Sequence, residues 1–426
     1  MSTMSMPNAE YPHIAVIGGG AAGLMAAGTA AEEGASVTLF EPNARLGRKL
    51  AITGKGRCNL TNDCTPAEFL PNVTRNPRFL YAALNAFSPA DTMAFFEGLG
   101  VPLKTERGRR VFPVSDRAYD IVDALARYVA PCRIRHEKVL SLSVDQGEIC
   151  GLKTAEGSYE FDAVILAAGG ASYPLTGSDG SGYRMARALG HTVTPLAPSL
   201  VPLTSNDPVC PALMGLSLRN VGLRILPQAG GKPLYEDMGE MLFTHFGLSG
   251  PMVLSASAHL QGRDLSALVA EIDMKPALDE KTLDRRLCTD FEKYHNRDFL
   301  HALADLLPAR MIEPFIARVS VDPRKKTHSV TREERHRILT ELKHFRVTLS
   351  GFRPIEEAII TSGGIEVREV EPKTMMSRVV RGLFLAGEIL DLDAYTGGYN
   401  LQIAFSTGRA AGIAAARYER KTEEPV

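Results

Sequence analysis

The chain opens on a short apolar run. His13, Ile14, Ala15, Val16 and Ile17 read as a strand covered on both faces, since consecutive apolar residues leave no polar face for water. Glycines 18–20 follow as a turn, and the alanine-rich residues 21–33 read as a helix ended near Gly34. Residues 36–40 repeat the buried-strand pattern, so the chain begins as a parallel α/β sheet. The apolar stretch Ile14 to Ala31 is about long enough to span a bilayer, but its glycine cluster and the following Glu32 and Glu33 suit a buried strand and helix better. Helices are predicted over 76–99 and 117–129, short strands over 133–144 and 148–161, and a further buried strand over 163–167.

From about residue 195 the pattern changes. Prolines 195, 198, 202, 208 and 211 punctuate short segments, and 216–226, 232–243 and 265–273 read as antiparallel strands. Residues 277–318 and 331–344 look helical. The buried-strand pattern returns at 383–387, and 400–419 reads as a long helix rich in small residues. The expected organisation is a discontinuous sheet domain with an insertion: 1–195, then an insert over 196–345 (β part about 196–275, helical part about 276–345), then 346–426, which holds the remaining strands of the inserted barrel and the C-terminal part of the sheet domain.

Three glycine-rich turns carry the candidate chemistry. The first is Gly18-x-Gly20-x-x-Gly23, between a strand and a helix. In a dinucleotide-binding turn Gly18 permits the tight bend, Gly20 lets the backbone approach a pyrophosphate, and Gly23 lets the helix pack closely. The N–H groups of the first helical turn, at Ala21 and Ala22, and the helix dipole favour a diphosphate. Glu41 ends the second strand, where a carboxylate can accept hydrogen bonds from both ribose hydroxyls of an adenosine and repels a 2′-phosphate. The second turn is Ala167-Ala168-Gly169-Gly170, after the strand at 163–167. The third is Gly387-Glu388 after the last strand, with Gly397-Gly398-Tyr399-Asn400 opening the final helix. A carboxylate at Glu388 suits a ribityl hydroxyl, and a helix N-terminus stabilises the negative charge of a reduced flavin near N1 and O2. Contacts from both ends of the chain fit FAD better than NAD. No second glycine motif marks a separate site for a nicotinamide nucleotide.

Composition narrows the function classes. The chain has 426 residues, 45% hydrophobic and 23% charged, with a formal net charge of −1. Such a balance gives no electrostatic drive toward nucleic acid or an anionic membrane, so neither partner is expected. The six cysteines are scattered with no C-x-x-C pair, which leaves zinc and thioredoxin-type chemistry without support, and no metal is expected. Reduced thiols and an N-terminus without a basic and apolar leader point to the cytoplasm. Oligomeric state is not assigned.

The segments Thr53-Gly54-Lys55-Gly56-Arg57-Cys58-Asn59-Leu60-Thr61-Asn62, Leu242-Phe243-Thr244-His245-Phe246-Gly247-Leu248-Ser249-Gly250-Pro251 and the run from Gly387 to Gln402 together resemble the BaiN-like (YhiN-like) flavoproteins. These are also described as NAD(P)/FAD-dependent oxidoreductases or aminoacetone-oxidase-family FAD-binding enzymes. The resemblance covers about residues 12 to 417. It implies an α/β fold: a glutathione-reductase-like FAD-binding Rossmann domain, discontinuous, with an inserted β-barrel and small helical part. Carried over by position, Gly18, Gly20, Ala21, Ala22, Gly23 and Glu41 bind the AMP half, and the backbone near Val139 meets the adenine. Ala168 and Gly169 lie near the cofactor, as do Lys49 and the loop of Gly54, Gly56, Arg57, Cys58 and Asn59. Gly387, Glu388, Gly398, Tyr399, Asn400 and Leu401 line the ribityl and isoalloxazine end. Lys55 stands where many relatives carry glycine or serine.

The expected reaction is hydride transfer between flavin N5 and a small organic substrate, with His245 and Tyr395 as candidate proton donors. NAD(P)H as transient electron donor, for reduction of an enone, and oxygen as acceptor in an amine oxidase are both open. Two further alternatives are FAD-dependent RNA modification and a non-catalytic flavin redox sensor. Cys58 reads either as a thiolate beside the flavin or as a small buried filler.

Overall fold

The computed structural model describes residues 11–420. The chain divides into two compact units, one built from the residues up to Pro198 together with those from Ile355 onward, the other from Ser199–Pro354.

The first unit is organised by a five-stranded sheet in the order Leu383–Leu385, Ala163–Leu166, His13–Ile17, Ser36–Phe40, Arg133–Arg135, with every pairing parallel. The central strands are apolar throughout because helices cover both faces. One of these, Ala21–Glu32, packs against the final helix, Tyr399–Ala416, through backbone rather than side chains. A Cβ on Gly408 would stand 2.4 Å from the Ala22 carbonyl oxygen, and one on Gly412 would stand 2.5 Å from that of Ala26. The small residues of the last helix therefore permit the two backbones to touch.

Several expected elements are subdivided. The helix anticipated over 76–99 is a short turn at Pro77–Leu80, then Tyr81–Ala86 and Pro89–Gly98. The break falls where Ser88 caps the next helix and exchanges hydrogen bonds with Asp91, with Pro89 at the first helical position. The strand region 133–144 splits into Arg133–Arg135, in the parallel sheet, and Ser141–Asp145, in a three-stranded antiparallel sheet. Periodicity alone could not separate them, since both are short.

A buried polar pin joins two loops of this unit. The His191 imidazole bonds Glu369 Oε2 through Nδ1 at 3.0 Å and Ser377 Oγ through Nε2 at 2.8 Å. Burial pushes His191 below its ordinary pKa, although Glu369 pulls the other way. The folded protein thus favours the neutral ring more than the unfolded chain does. That stability is complete above the unfolded value of about 6.5 and is lost as pH falls through the folded value. We expect His191→Gln, which cannot titrate, to lose less stability than wild type between pH 7 and pH 5. Denaturant melts at each pH measure this, and parallel losses would remove His191 as the cause.

The second unit carries a seven-stranded antiparallel sheet in the order Phe345–Thr348, Leu268–Asp273, Ser217–Pro227, Tyr235–Thr244, Gly247–Ser249, Leu203–Thr204, Gly351–Phe352. Its first and last strands are consecutive in the chain, linked by Leu349 and Ser350, so the sheet must roll until its edges approach, as in a barrel. Ser350 N–H donates to the Thr204 carbonyl at 2.8 Å, extending the ladder between Leu203–Thr204 and Gly351–Phe352 into the linker. The helices Glu280–Lys293, Ala309–Val319 and Arg332–Lys343 bury Leu287, Phe315 and Leu342 with Phe345 of the sheet in one core. Glu271, buried, accepts from Arg224 at 2.6 Å and Arg346 at 2.8 Å. Burial opposes its ionisation, but these partners and His344 outweigh it and lower its pKa.

Candidate functional site

Three turns of the first unit meet where the strands of the parallel sheet end. At the first, Gly18 has a φ of +105°, and its N–H donates to the Phe40 carbonyl at 2.9 Å. A Cβ there would stand 2.5 Å from the Ala167 carbonyl oxygen, so only glycine fits the turn against the neighbouring strand end. A Cβ on Gly23 would stand 1.8 Å from the Gly18 carbonyl oxygen. Gly20 differs: its backbone is extended and a Cβ would meet nothing within 4 Å. Open space thus lies at the N-terminus of Ala21–Glu32, where the N–H groups of Ala21 and Ala22 have no acceptor within the helix.

Glu41 is buried beside this turn. Its Oε2 accepts from Gly19 N–H at 2.8 Å, and Oε1 accepts from Asn43 N–H at 2.9 Å and Asn43 Nδ2 at 2.6 Å. The same region holds His136, whose Nδ1 lies 3.1 Å from the Glu41 carbonyl, and the buried Val139 three residues on. In the second turn Ala168 is half-buried, and Gly169, with φ +71°, lies against Ser178.

The third turn is tied to the first from the far end of the chain. Gly387 N–H donates to Thr407 Oγ1 at 3.0 Å, and a Cβ on Gly387 would stand 2.6 Å from that of Ala22. The Glu388 carboxylate forms a network. Lys49 Nζ lies 2.6 Å from Oε2, while Ser172 Oγ at 3.0 Å and Thr361 N–H at 2.9 Å reach Oε1. Lys49 also donates to Ser172 Oγ at 2.7 Å. Thus Lys49 and Glu388, 339 residues apart, meet as an ion pair.

The last helix begins at Gly398, φ +99°, where a Cβ would stand 2.3 Å from the Thr61 carbonyl. Thr61 Oγ1 donates to the buried Gln402 Oε1 at 2.6 Å, and Asn62 Nδ2 to the Gly397 carbonyl at 3.1 Å. The helix N-terminus is therefore locked to the loop that starts at Thr53. Within that loop the helix Arg48–Gly56 is interrupted at Thr53, Gly54 and Lys55. Lys55 takes the left-handed φ of +59°, a conformation that glycine adopts without a Cβ penalty. Gly56 is exposed with open space around it.

Some expected site residues spend their side chains elsewhere. Asn400 Nδ2 donates to the Ala394 carbonyl at 2.7 Å, and its Oδ1 accepts from Ala394 N–H at 3.1 Å. Tyr399 packs edge-on against Phe69 at 5.0 Å, and burial pushes its phenol up to about 12. Leu401 is half-buried in the same turn. Arg57 pairs with Glu106 and with Asp116 at 2.6 Å, and lies 4.2 Å over the Phe112 ring. Cys58 is fully buried, and burial pushes its thiol up to about 12, which favours the protonated form. Tyr395 is half-buried, with its N–H donating to the Asn72 carbonyl at 3.0 Å. His245 belongs to the second unit, exposed between Tyr235–Thr244 and Gly247–Ser249, its ring 5.0 Å from that of Phe246.

Sequence reasoning passed over Asn43, Ser172, Thr361, Ser178 and Gln402. Signals lay close by: Asn43 follows Glu41 by two residues, Ser172 follows the turn at Gly170 by two, and Gln402 closes the run that starts at Gly387. The site fits a long, polar, anionic cofactor such as FAD. Gly20 leaves room at a helix N-terminus, and the buried Asn59 Oδ1 and Ser178 Oγ have no hydrogen-bond partner among the described residues. Among the described residues no group of three or more His, Cys, Asp or Glu is placed to hold a metal ion, and no helix is long and apolar enough to cross a membrane.

Residues 12–414 match the family described as HI0933-like protein Rossmann domain. The chain belongs to the HI0933-like family. Proteins similar to it over their full length are named as enzymes. The 3-dehydro-bile acid delta(4,6)-reductase of Clostridium scindens is 31% identical over 95% of this chain and 98% of its own length. The ribosomal RNA dihydrouridine synthase of Haemophilus influenzae is 30% identical over 96% and 99%, and that of Escherichia coli 29% over 93% and 96%. Full-length kinship to these makes the present HI0933-like chain an enzyme too. Among solved structures it is similar in fold to the 3-ketosteroid delta1-dehydrogenase of Sterolibacterium denitrificans, with a TM-score of 0.51, 13% identity, and coverage of 96% and 99%. Mycobacterium smegmatis Sdh1 gives 0.50 at 19% identity, covering 97% and 69%. The HI0933-like fold is thus the Rossmann-type, glutathione-reductase-like fold of FAD-binding proteins.

Proposed function

We propose that this protein is an FAD-dependent reductase that adds hydrogen across a carbon–carbon double bond conjugated to a carbonyl, on a small organic substrate. The observation that carries the reading is full-length likeness to two relatives whose names share that chemistry. A delta(4,6)-reductase saturates a double bond, and dihydrouridine is uridine with its ring double bond saturated. Bound FAD would supply hydride chemistry at N5. The chain's own residues do the rest. The first helix N-terminus at Gly20, Ala21 and Ala22 holds the diphosphate, and Glu41 the adenosine ribose. Lys49 and Glu388 place paired charges at the ribityl end, and the N-terminus of Tyr399–Ala416 favours anionic flavin. Tyr395 and His245 are the proton donors we propose to test, and the cytoplasm is the compartment that free cysteines suit.

A second reading is the same chemistry on RNA-borne uridine, favoured by the two dihydrouridine synthases. The net charge of −1 gives RNA no general attraction, which favours the small substrate. The test is anaerobic. NADPH or NADH is expected to bleach the flavin absorbance near about 450 nm, and a cyclic enone to restore it. Restoration by a uridine-containing RNA alone would replace the small substrate by RNA. Bleaching by amines, with recovery in oxygen, would make it an oxidase, and no bleaching by any donor would make it a sensor. His245→Ala is expected to slow recovery at unchanged flavin content if His245 donates the proton.

Glu41→Ala is expected to weaken FAD retention about tenfold, because two ribose hydrogen bonds to a charged acceptor are lost. Flavin content at wild-type level after dialysis would refute the adenosine assignment.

A further inference from the structure

The first unit has a cavity of about 640 Å³ that none of the roles above uses. Its walls come from two stretches, Asn76–Phe79 and Val367–Arg378. Phe79, Val367 and Val370 are buried and supply an apolar floor, while Arg78, Arg368 and Arg378 stand around it. No acidic residue is among the lining. Two of the guanidiniums have acidic neighbours outside the cavity: Arg368 lies 3.6 Å from Glu366, and Arg378 lies 2.5 Å from Glu371. Arg78 is exposed and, among the described residues, forms no ion pair. Three guanidiniums around one concavity, one of them unpaired and none facing a lining carboxylate, suit a group of multiple negative charge. Guanidinium geometry matches phosphate oxygens two at a time. The floor adds a surface for a flat apolar ring, and the volume falls in the range of about 300–1,000 Å³ usual for small-ligand pockets.

The cavity wall is joined to the Glu388–Asn400 segment. Asn76 Nδ2 donates to the Asp391 carbonyl at 2.7 Å, and Arg75 pairs with the Asp391 carboxylate at 2.7 Å. Val73–Arg75 pairs with Asp393–Ala394 as two antiparallel strands. A ligand held here therefore borders the backbone that leads to the last helix.

We infer that this arginine-lined cavity is a second nucleotide site, which takes a small phosphorylated nucleotide with its phosphates among Arg78, Arg368 and Arg378 and its base on Phe79. Naming that nucleotide as the reduced nicotinamide donor rests on the reductase reading; the affinity of the cavity does not. The site also supplies what the sequence lacks, a place for a second nucleotide without a second glycine motif.

The test is calorimetric titration of the full-length, flavin-loaded protein with ADP and with 2′,5′-ADP. Wild type is expected to bind one equivalent, and Arg78→Ser/Arg368→Ser to bind about tenfold more weakly or less, at unchanged flavin content and melting temperature. Both side chains are exposed, so the fold does not depend on them. No binding by wild type, or equal binding by the variant, overturns the inference. Pyrophosphate binding as tightly as ADP overturns the base subsite and with it the nucleotide assignment. A uridine-containing RNA that binds through these arginines while ADP does not replaces the nucleotide by a nucleic acid backbone. Because ADP carries no hydride, these outcomes are separate from the bleaching experiment: ADP can bind in a protein that reduces no enone, and an enone reductase can fail to bind ADP here.

Discussion

Gly20→Val is expected to give folded, colourless protein. The backbone at Gly20 is extended, with φ −86° and ψ −172°, a conformation open to any residue, and a Cβ there meets nothing within 4 Å. The substitution replaces one helix-preceding residue by a poorer one, at a cost of about 1 kcal/mol. The space the valine fills is the space at the helix N-terminus that a diphosphate needs. Flavin bound per chain should fall at least about tenfold, since the charge-assisted backbone contacts are lost together. Circular dichroism, and a thermal melt compared with flavin-stripped wild type, check the fold; absorbance after gel filtration checks the flavin. Yellow protein at full occupancy would place the diphosphate elsewhere.

Gly23→Ala, three residues on, is expected to fail in the opposite sense. Its new methyl would lie 1.8 Å from the Gly18 carbonyl oxygen and 3.5 Å from Ala167 Cβ. The nearer atom is backbone, fixed by the Gly18 hydrogen bond to Phe40 and by the strand end at Ala167. Relief therefore requires the helix to move off the turn, and with it the Gly408 and Gly412 contacts of the last helix. The cost should exceed the about 1–3 kcal/mol usual for overpacking. The readout is the denaturant midpoint of flavin-stripped protein, so that loss of ligand does not enter. A midpoint equal to wild type would mean that the turn yields easily. The pair of variants separates two jobs that one glycine pattern performs: room for a ligand, and close approach of backbone.

That separation also shows how far sequence reading could go. Strand–turn–helix order around Gly18, Gly20 and Gly23 was legible because each glycine answers a local need in a continuous segment. Glu41 was legible for the same reason, standing at the end of the next strand. The interruption of the helix at Thr53 to Lys55 and the capped break at Ser88 were harder, because local capping overrode a helical pattern that continues through both. The partners of Glu388 could not be read at all: Lys49, Ser172 and Thr361 lie on three separate segments. Nor could the diversion of Asn400 toward Ala394, since an asparagine at a helix start serves a ligand or a loop equally well.

By itself the sequence determined the parallel sheet, the glycine turns and the discontinuous chain order, since apolar runs, turn residues and helical spacing act over a few residues. The tertiary structure alone decided which glycine faces open space and which faces backbone, which carboxylate pairs with Lys49, and that Arg78, Arg368 and Arg378 surround one cavity. Those outcomes depend on contacts between residues tens to hundreds of positions apart, where proximity is set by how layers pack and not by spacing along the chain.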